Sequence, residues 1–134
     1  MPLDPQAKVF LEQSPPAPPF PHDVASINEI RKLTARLEGA PESVAKVEDR
    51  AVPCSEAGIE IPVRIYWPAS AAGSESPKAG FVFFHGGGWV LGNLDAYDHL
   101  CHALANSGDA VVVSVDYRLA PEHRFPAAAE DCYN

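Results

Sequence analysis

His85, Gly86, Gly87 and Gly88 are the residues whose types and spacing could do chemistry. They follow Phe81-Val82-Phe83-Phe84 directly and lead into Trp89. Glycine accepts positive φ and presents its backbone N–H with no Cβ in the way. Three glycines after an apolar run therefore make a concave row of amide donors, suited to holding negative charge. Two charges fit such a loop: the pyrophosphate of a dinucleotide, or the alkoxide that develops when an ester carbonyl is attacked. Adjacent donors aimed at an alkoxide matter energetically, since removing one typically costs about 2.7–4 kcal/mol of transition-state stabilisation. A turn with a purely geometric role would leave the entropic cost of three glycines unexplained.

The elements around this loop decide between the two charges. Phe81 to Phe84 reads as a strand buried on both faces, as in a parallel sheet. Residues 95–107 read as a helix with Leu100 and Leu104 at i, i+4, stopped by Gly108. Ala110-Val111-Val112-Val113-Ser114-Val115 reads as a second buried strand ending at Asp116. Strand, helix and strand at this spacing make a parallel βαβ unit. Asp116 after the second strand is also what a dinucleotide site would place there. However, Gly86, Gly87, Gly88 and Gly92 do not fit G-x-G-x-x-G, and the helix starts several residues late. A pyrophosphate needs the helix N-terminus beside the glycines. The alkoxide is the better fit.

Upstream, Asp4 and Pro5 suit the start of a short helix over 5–13, with Ala7, Phe10 and Leu11 on its apolar face. Pro15, Pro16, Pro18, Pro19 and Pro21 form a stiff connector. A ligand for a proline-binding module is the other reading, but no basic residue flanks it. A second helix is expected over 24–38, started by Ser26 with Glu29 or by Asp23, with Val24, Ile27, Ile30, Leu33 and Leu37 on one stripe. These two helices read as an appendage across a core, either a lid or a strap. Residues 45–53 and 61–67 then read as an antiparallel hairpin, half-buried in the second strand, with Pro62 and Pro68 near a sheet edge. A last helix starts at Pro126.

The 134 residues hold 10 basic and 18 acidic side chains, a net charge of −8. An acidic chain without a basic cluster is repelled by nucleic acid and by anionic membranes, so neither is an expected partner. No apolar run approaches the roughly 18 residues of a membrane span. Residues 1–5 resemble no signal peptide. Cys54, Cys101 and Cys132 are odd in number and far apart, which favours reduced, buried thiols and a cytoplasmic location. Asp95, Asp98, His99 and His102 crowd one helix, but no third ligand for a catalytic zinc accompanies the histidines. They read better as exposed helix-face polarity, with Asp95 holding the loop after Gly92, so no metal and no cofactor are expected.

Phe84-His85-Gly86-Gly87-Gly88-Trp89-Val90-Leu91-Gly92, then Asp116-Tyr117-Arg118-Leu119-Ala120-Pro121-Glu122-His123 and Phe125-Pro126-Ala127-Ala128-Ala129-Glu130-Asp131, resemble the hormone-sensitive-lipase-type family of α/β-hydrolases. The opening helices resemble that family's cap. The resemblance implies an α/β fold: the N-terminal half of an α/β-hydrolase, with an antiparallel hairpin leading into a parallel βαβ unit. It implies a cap segment over 1–40 and a core over 41–134. It implies a carboxylic-ester hydrolase of the serine type acting on small to medium acyl groups. In such enzymes the HGGG loop after the third strand is part of the oxyanion hole. By match, Gly87 and Gly88 would donate and Gly86 would shape the loop. His85 would position the loop rather than act as base, alongside Trp89, Asp116, Tyr117, Arg118 and Glu122 as loop support. Phe10 and Phe20 would line the cap side of the substrate pocket.

The family also needs a serine on a G-x-S-x-G turn, followed by an acid and a histidine. No serine here sits in that turn; Ser74, Ser76 and Ser107 each fail it. The expectation is a chain that holds the oxyanion loop, lacks the triad, is inactive and poorly folded alone, and leaves an apolar strand edge unpaired. The alternative is a catalytically silent α/β-hydrolase remnant that binds a ligand or partner chain. Residues beyond Asn134 would separate the two.

Overall fold

The computed structural model describes residues 4–13, 23–34, 40–54, 58–74 and 76–134. Helix α1 (Pro5–Gln13) is capped by Asp4, whose Oδ1 accepts the N–H groups of Gln6 at 2.8 Å and Ala7 at 3.3 Å. Helix α2 (Val24–Thr34) is capped by Asp23. Asp23 Oδ1 accepts the Ser26 N–H at 2.8 Å, and the Ser26 hydroxyl donates to Oδ2 at 2.8 Å. A Ser26–Glu29 capping box is thereby displaced, because the hydroxyl it needs is already engaged. The proline connector and residues 35–38 of the expected second helix lie outside the described residues.

Among the described residues four strands form one sheet. Strands β1 (Lys46–Pro53) and β2 (Glu60–Trp67) are the expected antiparallel hairpin, running from Lys46 opposite Trp67 to Pro53 opposite Glu60. Strands β3 (Ala79–Phe84) and β4 (Ala110–Val115) are parallel, from Ala79 beside Ala110 to Phe84 beside Val115. Helix α3 (Asp98–Gly108), entered through a 3₁₀ turn at Asp95–Tyr97, carries the crossover between them. The sheet order is β1-β2-β4-β3, with β2 antiparallel to β4. A short helix α4 (Ala127–Tyr133) follows.

Among the described residues α4 packs on one face of the sheet and α3 on the other. Ile61, Val63, Val115 and Tyr117 pack with Ala128 of α4 on one face, and Tyr66 and Val112 pack with Cys101 and Ala105 of α3 on the other. The hairpin lies at one edge of the sheet, as expected, with β1 outermost. Two expectations need correcting. The face of β2 that carries Tyr66 is not exposed, because α3 covers it and buries Tyr66 completely. Pro62 stands at the end of the β2–β4 pairing, where its carbonyl accepts the Asp116 N–H at 2.9 Å and only its own missing donor is lost. Strand β3 is not buried on both faces: Phe81, Val82 and Phe84 are 39%, 54% and 44% exposed. Among the described residues β3 pairs only with β4. An apolar run records that a strand's faces need cover, not which segment supplies it.

The thiol of Cys101 is buried and those of Cys54 and Cys132 are partly so; none of the three is in a disulfide among the described residues. No helix among the described residues is long and apolar enough to cross a membrane.

Candidate active site

The parallel register puts the ends of β3 and β4 level, so the segments after Phe84 and Val115 emerge side by side at the C-terminal edge of the sheet. That edge is where open α/β sheets bind ligands. His85 comes first. Its ring is buried and stacks on Tyr117 at 4.3 Å between centroids and on Tyr97 at 5.5 Å. Nδ1 lies 2.9 Å from the Gly86 carbonyl oxygen, while Nε2 meets no partner among the described residues.

The glycines follow. Gly87 sits at φ 127°, and a Cβ there would meet the Leu91 carbonyl oxygen at 2.1 Å. The Gly87 carbonyl accepts the N–H groups of Leu91 at 2.9 Å and Val90 at 3.2 Å, closing a tight turn. Trp89 takes φ 60°, a left-handed conformation that costs a residue other than glycine about 1–2 kcal/mol. Its carbonyl accepts the Ala120 N–H at 2.8 Å. At Gly92 a Cβ would strike His85 Nδ1 at 2.3 Å, so the turn closes against the histidine that opens it.

Among the described residues neither the Gly87 nor the Gly88 N–H donates to an acceptor in the chain. With Gly86, Phe84, His85, Trp89, Tyr117 and Cys132 they line a cavity of about 260 Å³. An adjoining apolar groove of about 400 Å³ is bounded by Gly88, Trp89, Ala120, His123, Phe125, Ala128 and Ala129. Two unclaimed donors beside apolar surface can receive an oxygen that gains charge while its substituents stay dry.

The second loop supplies the frame. Tyr117 donates its hydroxyl proton to the His85 carbonyl at 2.6 Å. Burial raises the Asp116 carboxyl above its ordinary pKa, opposed in part by His85. Arg118 pairs with Asp131: its Nε lies 3.0 and 3.1 Å from the two Asp131 oxygens, and its backbone N–H donates to Oδ2 at 2.8 Å. Burial would raise Asp131, yet these bonds outweigh it and hold the carboxyl below its usual value. Glu122 pairs with Arg31 of α2 at 2.9 Å. That bond also lowers the Glu122 pKa.

Arg31 was not singled out from the sequence, although its position four residues after Ile27 puts it beside the buried stripe of α2. Asp131 appeared only within the matching segment and had no role assigned. Phe10 lies in α1, but its side chain and all of Phe20 are outside the described residues. Helix α3 differs from its reading as an exposed polar face. Asp98 accepts from the Tyr66 hydroxyl at 2.8 Å and from Arg64 at 3.2 Å, and lies 3.4 Å from His102 Nε2. Asp95 pairs with Arg64, and Asn93 instead holds the loop by accepting the Ala96 N–H at 2.8 Å. No cluster among the described residues could hold a metal ion.

A mixed sheet with a glycine loop at the C-terminal end of its parallel pair defines part of an α/β-hydrolase fold. Residues 81–134 match the family model described as alpha/beta hydrolase fold. The chain is 38% identical over 138 residues to an arylesterase of Saccharolobus solfataricus, covering 100% of this chain and 43% of that protein. It is 46% identical over 110 residues to the carboxylic ester hydrolase LipN of Mycobacterium tuberculosis, covering 82% of this chain and 27% of that one. A solved arylesterase structure superposes with a TM-score of 0.81 at 34% identity, covering 100% of this chain and 42% of that chain. The chain belongs to the α/β-hydrolases, in the hormone-sensitive-lipase-type family, and spans less than half the length of these relatives.

Proposed function

We propose that this chain supplies the oxyanion-stabilising part of a serine-type carboxylic-ester hydrolase. The observation that carries the reading is the pair of adjacent amides at Gly87 and Gly88, without acceptors in the chain and beside a cavity. In this reading a serine attacks the ester carbonyl, and the carbonyl oxygen takes on negative charge between the two N–H groups. Each donor contributes about 2.7–4 kcal/mol to the transition state. Gly86 shapes the approach; His85 orients the loop and transfers no proton. Residues 1–40 act as a cap and 41–134 as the core. The apolar groove beside Trp89 receives a small or medium substituent of the ester.

None of the 134 residues forms a G-x-S-x-G turn. The nucleophile, acid and base of this mechanism are therefore assigned to residues outside this chain. The test compares the protein expressed from its intact gene with the 134-residue chain, using p-nitrophenyl acetate and a fluorophosphonate label. The intact gene product should hydrolyse the ester and be labelled on serine, and the 134-residue chain should do neither. Hydrolysis by the 134-residue chain above buffer would overturn the division of labour. An intact product that neither hydrolyses nor labels would favour a silent binding module.

A further inference from the structure

Arg31 is the residue through which the N-terminal helices reach the glycine loop. Its Nε donates to the Val90 carbonyl at 2.8 Å. One terminal nitrogen donates to the Ala120 carbonyl at 2.9 Å and to Glu122 Oε2 at 3.2 Å. The other donates to Glu122 Oε1 at 2.9 Å and to Asn28 Oδ1 at 2.7 Å. The side chain is 15% exposed. Ala120 in turn donates its N–H to the Trp89 carbonyl. Two consecutive carbonyls after Gly88, those of Trp89 and Val90, are thus each held by a donor from another element.

We infer that Arg31 is a positioning residue for the Gly87–Gly88 donors, so that α2 is a fixed clamp on the oxyanion loop rather than a lid over the substrate. The physical ground is the backbone path. Gly88 and Trp89 both lie at φ near 60°, and a left-handed pair of this kind persists only where its surroundings hold it. Rotating the peptide units at 89 and 90 would turn the preceding amides away from a common point. The Arg31 fork and the Ala120 N–H oppose that rotation directly. A planar guanidinium serves this better than an ammonium, because three acceptors on two segments must be met in fixed directions. Glu122 neutralises the buried charge and orients the fork.

This inference rests on the proposed esterase reading, and its test separates the two. Arg31→Met and Arg31→Lys are made in the protein expressed from its intact gene, with Lys32→Met as the control. Lys32 is an exposed neighbour whose partner, Glu29, lies on the same helix. Ester hydrolysis is measured with p-nitrophenyl acetate, and amide hydrogen exchange is followed across residues 87–91. Arg31→Met should lower kcat about tenfold to a hundredfold, the scale of a misplacement near 1 Å, with KM changed less than about twofold. Exchange at Gly87 and Gly88 should accelerate. Arg31→Lys should retain the folded state and fail to restore kcat, and Lys32→Met should match the parent. An unchanged kcat in both Arg31 variants, or a rise in KM alone, would overturn the clamp and favour a lid. If the parent itself lacks activity, the esterase reading fails, and the exchange rates still decide whether Arg31 holds the loop.

Discussion

Tyr117 holds His85 at two points: its hydroxyl donates to the His85 carbonyl at 2.6 Å, and its ring stacks on the imidazole at a centroid separation of 4.3 Å. The residue that opens the glycine loop is thereby fixed by the second residue after β4. Both residues are buried.

Tyr117→Phe should destabilise the protein by about 1–3 kcal/mol, the range for a buried polar group left unsatisfied. The ring stack survives in this variant. Urea unfolding of parent and variant reads the difference, and kcat on p-nitrophenyl acetate should fall with it.

Gly87→Ala and Gly88→Ala should differ sharply. At Gly87 a Cβ meets the Leu91 carbonyl oxygen at 2.1 Å, whereas at Gly88 nothing lies within 4 Å. Gly88→Ala then carries only the left-handed strain of about 1–2 kcal/mol. Gly87→Ala must break the turn, and hydrolysis by the intact gene product should drop to background. Equal activities in the two variants would remove the steric account of this turn.

The ion pair of Arg118 and Asp131 should give the protein an acid-sensitive component. The folded pKa of Asp131 is lowered, so its contribution is fully present above the ordinary carboxylate value of about 3.9 and fades as pH falls through the lower folded value. Asp131→Asn should flatten this part of the stability curve below about pH 5. Asp131→Ala should cost about 3–5 kcal/mol at pH 7, because it leaves the guanidinium without its buried partner. Denaturant midpoints between pH 2 and 7 check both.

Val82→Lys should reduce self-association of the 134-residue chain. Val82 is 54% exposed on β3, and a charge on an open strand edge opposes pairing with another chain. Light scattering against concentration reads the effect. Scattering equal to that of the parent would mean that β3 is not the sticky surface.

The sequence exposed the periodic elements and the glycine loop because those are local matters. The alternation in β2, the apolar run of β4 and the Asp4 cap each declare themselves within a few residues. What it hid depended on partners far along the chain. Tyr66 looked like the polar side of a strand until α3 was seen to cover it, 32 residues away at Asp98. Arg31 drew no reading from the sequence, and only the fold brings it to Val90, 59 residues on. Arg118 and Glu122, four residues apart, invited a common role, yet they face different partners, Asp131 and Arg31. Side-chain type carries no record of which distant carbonyl awaits it.

The level ending of Phe84 and Val115 also works as a ruler. Sliding β3 by two positions would keep every side chain on its present face, so hydrophobic patterning cannot forbid it. It would nevertheless carry the glycines about 7 Å along the strand, out of reach of Ala120 and Arg31. Alignment to a single notch thus depends on a few polar contacts at the strand's exit. Lengthening the stretch between Gly92 and α3 should be tolerated by evolution or by a designer far more readily than adding one residue between Phe84 and Gly92.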